Sequence, residues 1–197
     1  MQLILVRHGR PHDPTEAMPV NPPLHADGHA QARRVAERLS AEGIERIVSS
    51  PLVRARATAE PLAAALGLAI EEREDLAEVD GSGARYINLD KLRAEGGEAW
   101  RQFLEDPVTF LGGDAEQFRR RVIDGFRALI ADSPGQTVVA FTHGLPINAV
   151  LSHILDLPRI TTFAPKFCSI TRLIGRDLEG MTVLSINETG HFAPGEV

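Results

Sequence analysis

The 197-residue chain has one cysteine, one tryptophan and one tyrosine, and its aromatic residues amount to 5%. The lone thiol, Cys168, can make no internal disulfide, which fits a reducing cytosol. No apolar run approaches the ~20 residues of a membrane span. The apolar first five residues lack the basic region, longer apolar segment and small-residue cleavage site of a signal peptide. A basic excess is missing as well: the net charge is −6, which argues against a general nucleic-acid binder. There is no internal repeat, no low-complexity tract and no histidine grouping with metal-ligand spacing. The expectation is a soluble, cytoplasmic protein with neither nucleic-acid nor membrane partners and no metal or cofactor. Nothing in the composition signals an oligomeric state.

What the chain does have is the balance of a globular protein, 43% hydrophobic and 24% charged, at a length that suits one α/β domain. Its organising stretch is Leu3-Ile4-Leu5-Val6 followed by Arg7, His8 and Gly9. Four aliphatic residues in a row, too few for a buried helix, read as an interior strand covered on both faces. Arg7 and His8 then stand at its C-terminal end, the edge of an open α/β sheet where ligands bind. Thr137 to Phe141, ending in Thr142-His143-Gly144, repeats this pattern.

Between these strands, Pro11 to Pro23 reads as a loop, and a helix from Ala26 or Asp27 is expected to end near Gly43. Ile44 to Val48 is the second strand. It runs into Ser50, a candidate N-cap, with Pro51 at the first helical position. Arg54 falls on that helix's first turn. Arg56, roughly 200° away around the axis, belongs outside. The helix stops at Gly67, and Leu68 to Ile70 forms a brief strand. Asp75 to Gly81 is an acidic loop, and 83–114 reads as a small helical, lid-like insertion. Ala115 to Ile130 is a helix with Phe118, Val122 and Phe126 on its buried face and Arg119, Arg120 and Arg121 on a solvated one. A helix over Pro146 to Leu155 follows, and Phe167 to Ile174 with Met181 to Ile186 reads as a hairpin at one side of the sheet.

Placed together, Arg7, His8, Arg54, His143 and a carboxylate from the acidic loop form an anion site. Charge-assisted hydrogen bonds from two arginines and two histidines suit a phosphoryl group. A neutral imidazole can serve as the nucleophile and a carboxyl as the proton donor, with no metal.

The chain resembles the histidine phosphatase superfamily, also called phosphoglycerate mutase-like. The matching segments are Leu5 to Gly9, Pro23-Leu24 with Gly28 to Ala32, Ser49 to Ala55 with Thr58-Ala59, Leu76-Ala77-Glu78, Gly112 to Asp114 with Phe118 and Arg121-Val122, Thr142 to Gly144, and Asn187 with Thr189, His191 and Phe192. The resemblance implies a three-layer α/β/α sandwich with a mostly parallel central sheet, a single domain over 1–197 and a lid at 83–114. It implies that His8 becomes a phosphohistidine and that Arg7, Arg54, His143 and Gly144 contact the substrate. Glu78 then protonates the leaving oxygen and activates water. The implied activity is metal-independent hydrolysis of a small phosphorylated metabolite. The alternatives are mutase-type phosphoryl transfer on phosphoglycerate and a non-catalytic phosphate-binding protein.

The chain departs from the family pattern at Gly9-Arg10-Pro11, where Gly-Glu-Thr is common, at Pro14, near a missing loop asparagine, and at Asn148, where an arginine is frequent. Arg10 stands as a candidate replacement contact to substrate, with an exposed ion pair as the other reading. His12, His25, His29, His153 and His191 are read as surface or capping residues, and Cys168 as a small buried hydrophobe.

Overall fold

The computed structural model describes residues 1–13, 21–79 and 86–193. Six strands form one sheet in the order β3-β2-β4-β1-β5-β6. β1 (Gln2–Arg7), β2 (Arg46–Ser49), β3 (Ile70–Glu72) and β4 (Thr137–Thr142) are parallel, while β5 (Ile170–Ile174) and β6 (Thr182–Glu188) run antiparallel at one side. The sheet is mixed but mostly parallel, and the expected hairpin is its antiparallel flank.

The aliphatic run of β1 serves both faces because successive strand side chains point to opposite sides. Leu3 and Leu5 pack into one core with Val122, Phe126 and Ile147, whereas Ile4 and Val6 pack into the other with Val35, Leu39 and Leu62. The first core belongs to α6 (Ala115–Ala131) and α7 (Gly144–Ile154), and the second to α1 (Ala26–Leu39) and α2 (Val53–Leu66). These are the three layers expected. Both histidine-bearing strands, β1 and β4, are interior neighbours in register from Gln2↔Thr137 to Arg7↔Thr142.

Several boundaries differ from expectation. α1 ends at Leu39, with Ser40 as its C-cap, before reaching Gly43. Ile70↔Ile47 pairing places β3 over Ile70–Glu72, later than the apolar Leu68 suggests. α2 begins at Val53, not at Pro51, with Leu52 at the N-cap position. Of the insertion, the described part holds α3 (Leu89–Glu95), α4 (Gly97–Glu105) and α5 (Pro107–Phe110). Its first three residues, 83–85, lie outside the described residues, as do Pro14, Asp80 and Gly81. Among the described residues no helix is long and apolar enough to cross a membrane.

Candidate active site

Because Arg7 lies in register with Thr142, the residues just past each strand, His8 and His143, stand side by side. Their ring centroids are 5.0 Å apart. The backbone N–H of His8 donates to the Thr142 carbonyl at 2.9 Å, and that of Cys168 donates to the carbonyls of Arg7 and His8 at 3.0 and 3.2 Å, so the end of β1 is held from both sides. Cys168 makes this reach in the left-handed region, at φ 54°. Burial pushes its thiol pKa up, so it stays a neutral thiol and behaves as a small hydrophobe.

Gly9 turns the chain away from the strand in close contact with Gly28. A Cβ at Gly9 would lie 2.7 Å from the Gly28 carbonyl oxygen, and one at Gly28 would lie 2.1 Å from the Arg10 carbonyl oxygen. The Gly9 N–H donates to the Thr58 hydroxyl at 2.9 Å, which donates to the Arg54 carbonyl at 2.6 Å. The turn after β1 is thereby tied to the first turns of α2.

Arg54 is fully buried. Its Nε–H donates to Nε2 of His8 at 3.3 Å, and its guanidinium lies 5.0 Å from the Tyr86 ring centroid. Arg7 donates to the Pro165 carbonyl at 2.6 Å and stacks 4.2 Å over Phe167. Nδ1 of His8 lies 2.8 Å from the Gly9 carbonyl oxygen. A carbonyl only accepts, so Nδ1 carries the ring proton and Nε2 presents a lone pair. Burial, then Arg54 and Arg7, hold the His8 pKa well below its ordinary value. His143 is lowered likewise, by burial and then by Arg54, His8 and Arg7. Both rings are neutral at pH 7.

Glu78 completes the group from the loop after the 3-10 turn at Glu74–Leu76. Its two carboxylate oxygens accept the N–H groups of Val79 and Leu145, each at 3.2 Å. Arg7, His8, Arg54, Glu78 and Gly144 line one recess, which Tyr86, Leu89 and Leu111 border from the insertion. His143 lies buried beside His8, with Nε2 2.8 Å from the Ser50 hydroxyl.

Of the two readings of Arg10, the structure shows the exposed ion pair: its guanidinium pairs with Asp27 at 2.8 Å and its side chain is 52% exposed, because the turn at Gly9 directs it toward the start of α1, outside this group. One sequence expectation is corrected. Arg121 is not part of a solvated face, since it donates to the carbonyls of Glu74 and Ala77 at 2.5 and 2.8 Å, bracing the loop that carries Glu78. Arg56, as expected, faces outward and pairs with Glu72. His25 is the N-cap of α1. Asn148 binds the carbonyls of Gly144 and Phe163 and the Phe163 N–H, which pins the following segment to α7. Ser50, Thr58 and Arg121 sit in the matching segments, but the His143 ring, the Gly9 N–H and the Glu74 and Ala77 carbonyls that they respectively reach are distant in sequence, and nothing local announces them.

Known proteins are similar to this chain along nearly its whole length. The chain is 31% identical over 182 residues to the probable phosphoglycerate mutase GpmB of Salmonella paratyphi A, covering 88% of this chain and 84% of that one. It is 29% identical over 204 residues to phosphoserine phosphatase 1 of Hydrogenobacter thermophilus, covering 98% and 94%. Among solved structures, a mutant phosphoserine phosphatase from Entamoeba histolytica in complex with phosphoserine superposes with a TM-score of 0.77 at 23% identity, covering 98% of this chain and 99% of that one. A mycobacterial glucosyl-3-phosphoglycerate phosphatase in complex with VO3 gives 0.76 at 24%, covering 95% and 99%. The model of the histidine phosphatase superfamily (branch 1) matches residues 3–189, and the chain belongs to that family.

Proposed function

We propose that this protein hydrolyses small phosphomonoesters through a phosphohistidine on Nε2 of His8, without a metal ion, and that 1–197 is one catalytic unit working in the cytoplasm. The observation that carries the reading is the His8 ring itself. Its proton is committed to the Gly9 carbonyl, and Nε2 carries the ring's lone pair, which accepts the Arg54 Nε–H and turns to phosphorus when the ester enters the recess that Arg7, His8 and Arg54 line. Nε2 attacks phosphorus as the ester P–O bond breaks. Arg7, Arg54 and His143 receive the equatorial oxygens, and Gly144 brings the N-terminus of α7, with its partial positive charge, to the same place. Glu78, acting in its carboxylic acid form, gives its proton to the leaving oxygen and becomes the carboxylate. It then takes one from the water that attacks phosphorus, the P–N bond breaks, and phosphate departs. Leu89 and Leu111, from either end of the insertion, border the recess, which supports 83–114 as its lid.

The names of the relatives support this reading, three of those above being phosphatases, two of phosphoserine and one of glucosyl-3-phosphoglycerate. Release of nitrophenol from para-nitrophenyl phosphate in the presence of EDTA, abolished in His8→Ala, is the expected result. Full activity in that variant, or a strict metal requirement, rules the mechanism out. The probable mutase among the relatives favours one further measurement. Phosphate release and isomerisation are assayed on phosphoglycerate, and isomerisation is expected to be the minor outcome.

A further inference from the structure

The recess at His8 adjoins a cavity of about 460 Å³, with Arg7, Leu89, Gly144 and Leu145 common to both. This is the space open to whatever is esterified to a phosphoryl group held at Nε2. It has the volume of a site for a drug-sized ligand. A three-carbon leaving group, such as that of phosphoserine or phosphoglycerate, fills little of it.

The wall gathers aromatic side chains in a chain that has few. Its sole tryptophan, Trp100, and three of its eight phenylalanines, Phe103, Phe163 and Phe167, line the cavity. Trp100 and Phe103 stack with centroids 5.4 Å apart. The neutral polar side chains of the wall are occupied. Asn148 donates to the carbonyls of Gly144 and Phe163, Thr161 to that of Leu104, and Thr162 to that of Arg159. Every donor hydrogen of these three side chains is engaged within the protein. A polyhydroxylated leaving group would find no free neutral side-chain donor among these three to replace its water.

The charges are one-sided. Arg7, Arg93 and Lys166 line the cavity, and among the described residues no Asp or Glu does, in a chain whose net charge is −6. Arg93 and Lys166 are exposed, and neither forms an ion pair among the described residues. A ligand ammonium would therefore meet like charges and no carboxylate.

We propose, resting on the phosphatase reading above, that this cavity is the leaving-group site and that it selects phosphomonoesters whose leaving group is an aromatic body bearing an anionic substituent. The ring lies against Trp100 and its neighbours, and the anion meets Arg93 and Lys166.

Benzyl phosphates test this with the leaving-group chemistry held nearly constant, since all leave as primary alkoxides. For the native protein, kcat/KM for para-carboxybenzyl phosphate is expected to exceed that for benzyl phosphate by about tenfold, and that for para-(aminomethyl)benzyl phosphate by more. Phosphoserine and a hexose phosphate are expected to fall below benzyl phosphate. A para-phosphonobenzyl ester distinguishes a carboxylate-specific site from one for any anion. In Arg93→Glu/Lys166→Glu, both exposed positions, the ratio of carboxybenzyl to aminomethylbenzyl turnover is expected to invert. In Trp100→Ala the ratio of benzyl to methyl phosphate is expected to fall. A flat ranking, a preference for phosphoserine or the hexose phosphate, or a charge ratio unmoved by the double substitution overturns the assignment while leaving the phosphatase reading in place. Absence of His8-dependent release from every ester overturns both.

Discussion

The Ser50 hydroxyl lies 2.8 Å from Nε2 of His143 and accepts the Leu52 N–H at 3.3 Å. It is the one side-chain partner given to a buried imidazole whose Nδ1 has no hydrogen-bond partner among the described residues. Ser50→Ala leaves that ring without its restraint and a buried nitrogen unsatisfied. Turnover of para-nitrophenyl phosphate is expected to fall by about tenfold or more, chiefly in kcat, with the circular dichroism spectrum unchanged. Ser50→Thr, which keeps the hydroxyl, is expected to restore much of it. Equal loss in both variants points instead to a packing role.

Stability is expected to fall on acidification, with the two site histidines contributing and His191, lowered by burial, acting in the same direction. Both site histidines have folded-state pKa values below the ordinary one. The unfolded chain therefore binds protons first as pH drops through about 6.5, and between that point and the lowered folded values the native state loses ground. Each ring contributes a slope of at most about 1.4 kcal/mol per pH unit. Urea midpoints between pH 7.5 and 5 check this. His8→Gln is expected to flatten the decline, and an unchanged slope in that variant contradicts the assignment.

Arg121 touches no part of the recess, yet its guanidinium spans the carbonyls of Glu74 and Ala77, just before Glu78. Arg121→Met frees the loop and blurs the position of the proposed proton donor. The expected signature is selective: alkyl phosphates, which need a proton on the departing oxygen, lose about tenfold or more in kcat. The nitrophenyl ester, with its better leaving group, loses less. A uniform decline across both substrates would indicate general destabilisation.

Gly28→Ala tests the contact between α1 and the turn after β1. The added Cβ would fall 2.1 Å from the Arg10 carbonyl oxygen, which is backbone and has little room to yield. A loss of about 1–3 kcal/mol in urea unfolding is expected, together with reduced turnover as Gly9 and the neighbouring His8 are displaced. Gly135→Ala, at a left-handed turn with nothing within 4 Å of its Cβ, is the comparison. Its cost is expected to be backbone strain alone, without an effect on catalysis.

Local pattern by itself determined the interior strands, the amphipathic α6, the stop of α2 at Gly67 and the division of Arg54 from Arg56, because each depends on periodicity or on one residue's backbone preference. The two strand-Arg/Thr-His-Gly endings, together with the family resemblance, also made the candidate site legible, since the C-terminal edge of a parallel sheet collects whatever follows its strands. Only the tertiary structure decided which cations stay there. Arg10 leaves because Gly9 packs against Gly28 and turns the chain toward Asp27, and Arg121 is drawn in by carbonyls more than forty positions earlier. Ser50 adds to its local bond with the Leu52 N–H a contact to an imidazole ninety-three residues away. Such contacts join atoms that chain order keeps apart, so they arise from packing and have no sequence spacing to read. The aromatic, cation-rimmed cavity beside His8 is of the same kind, assembled from α3, α4, α7 and the 160–167 segment only once the sheet has brought them together.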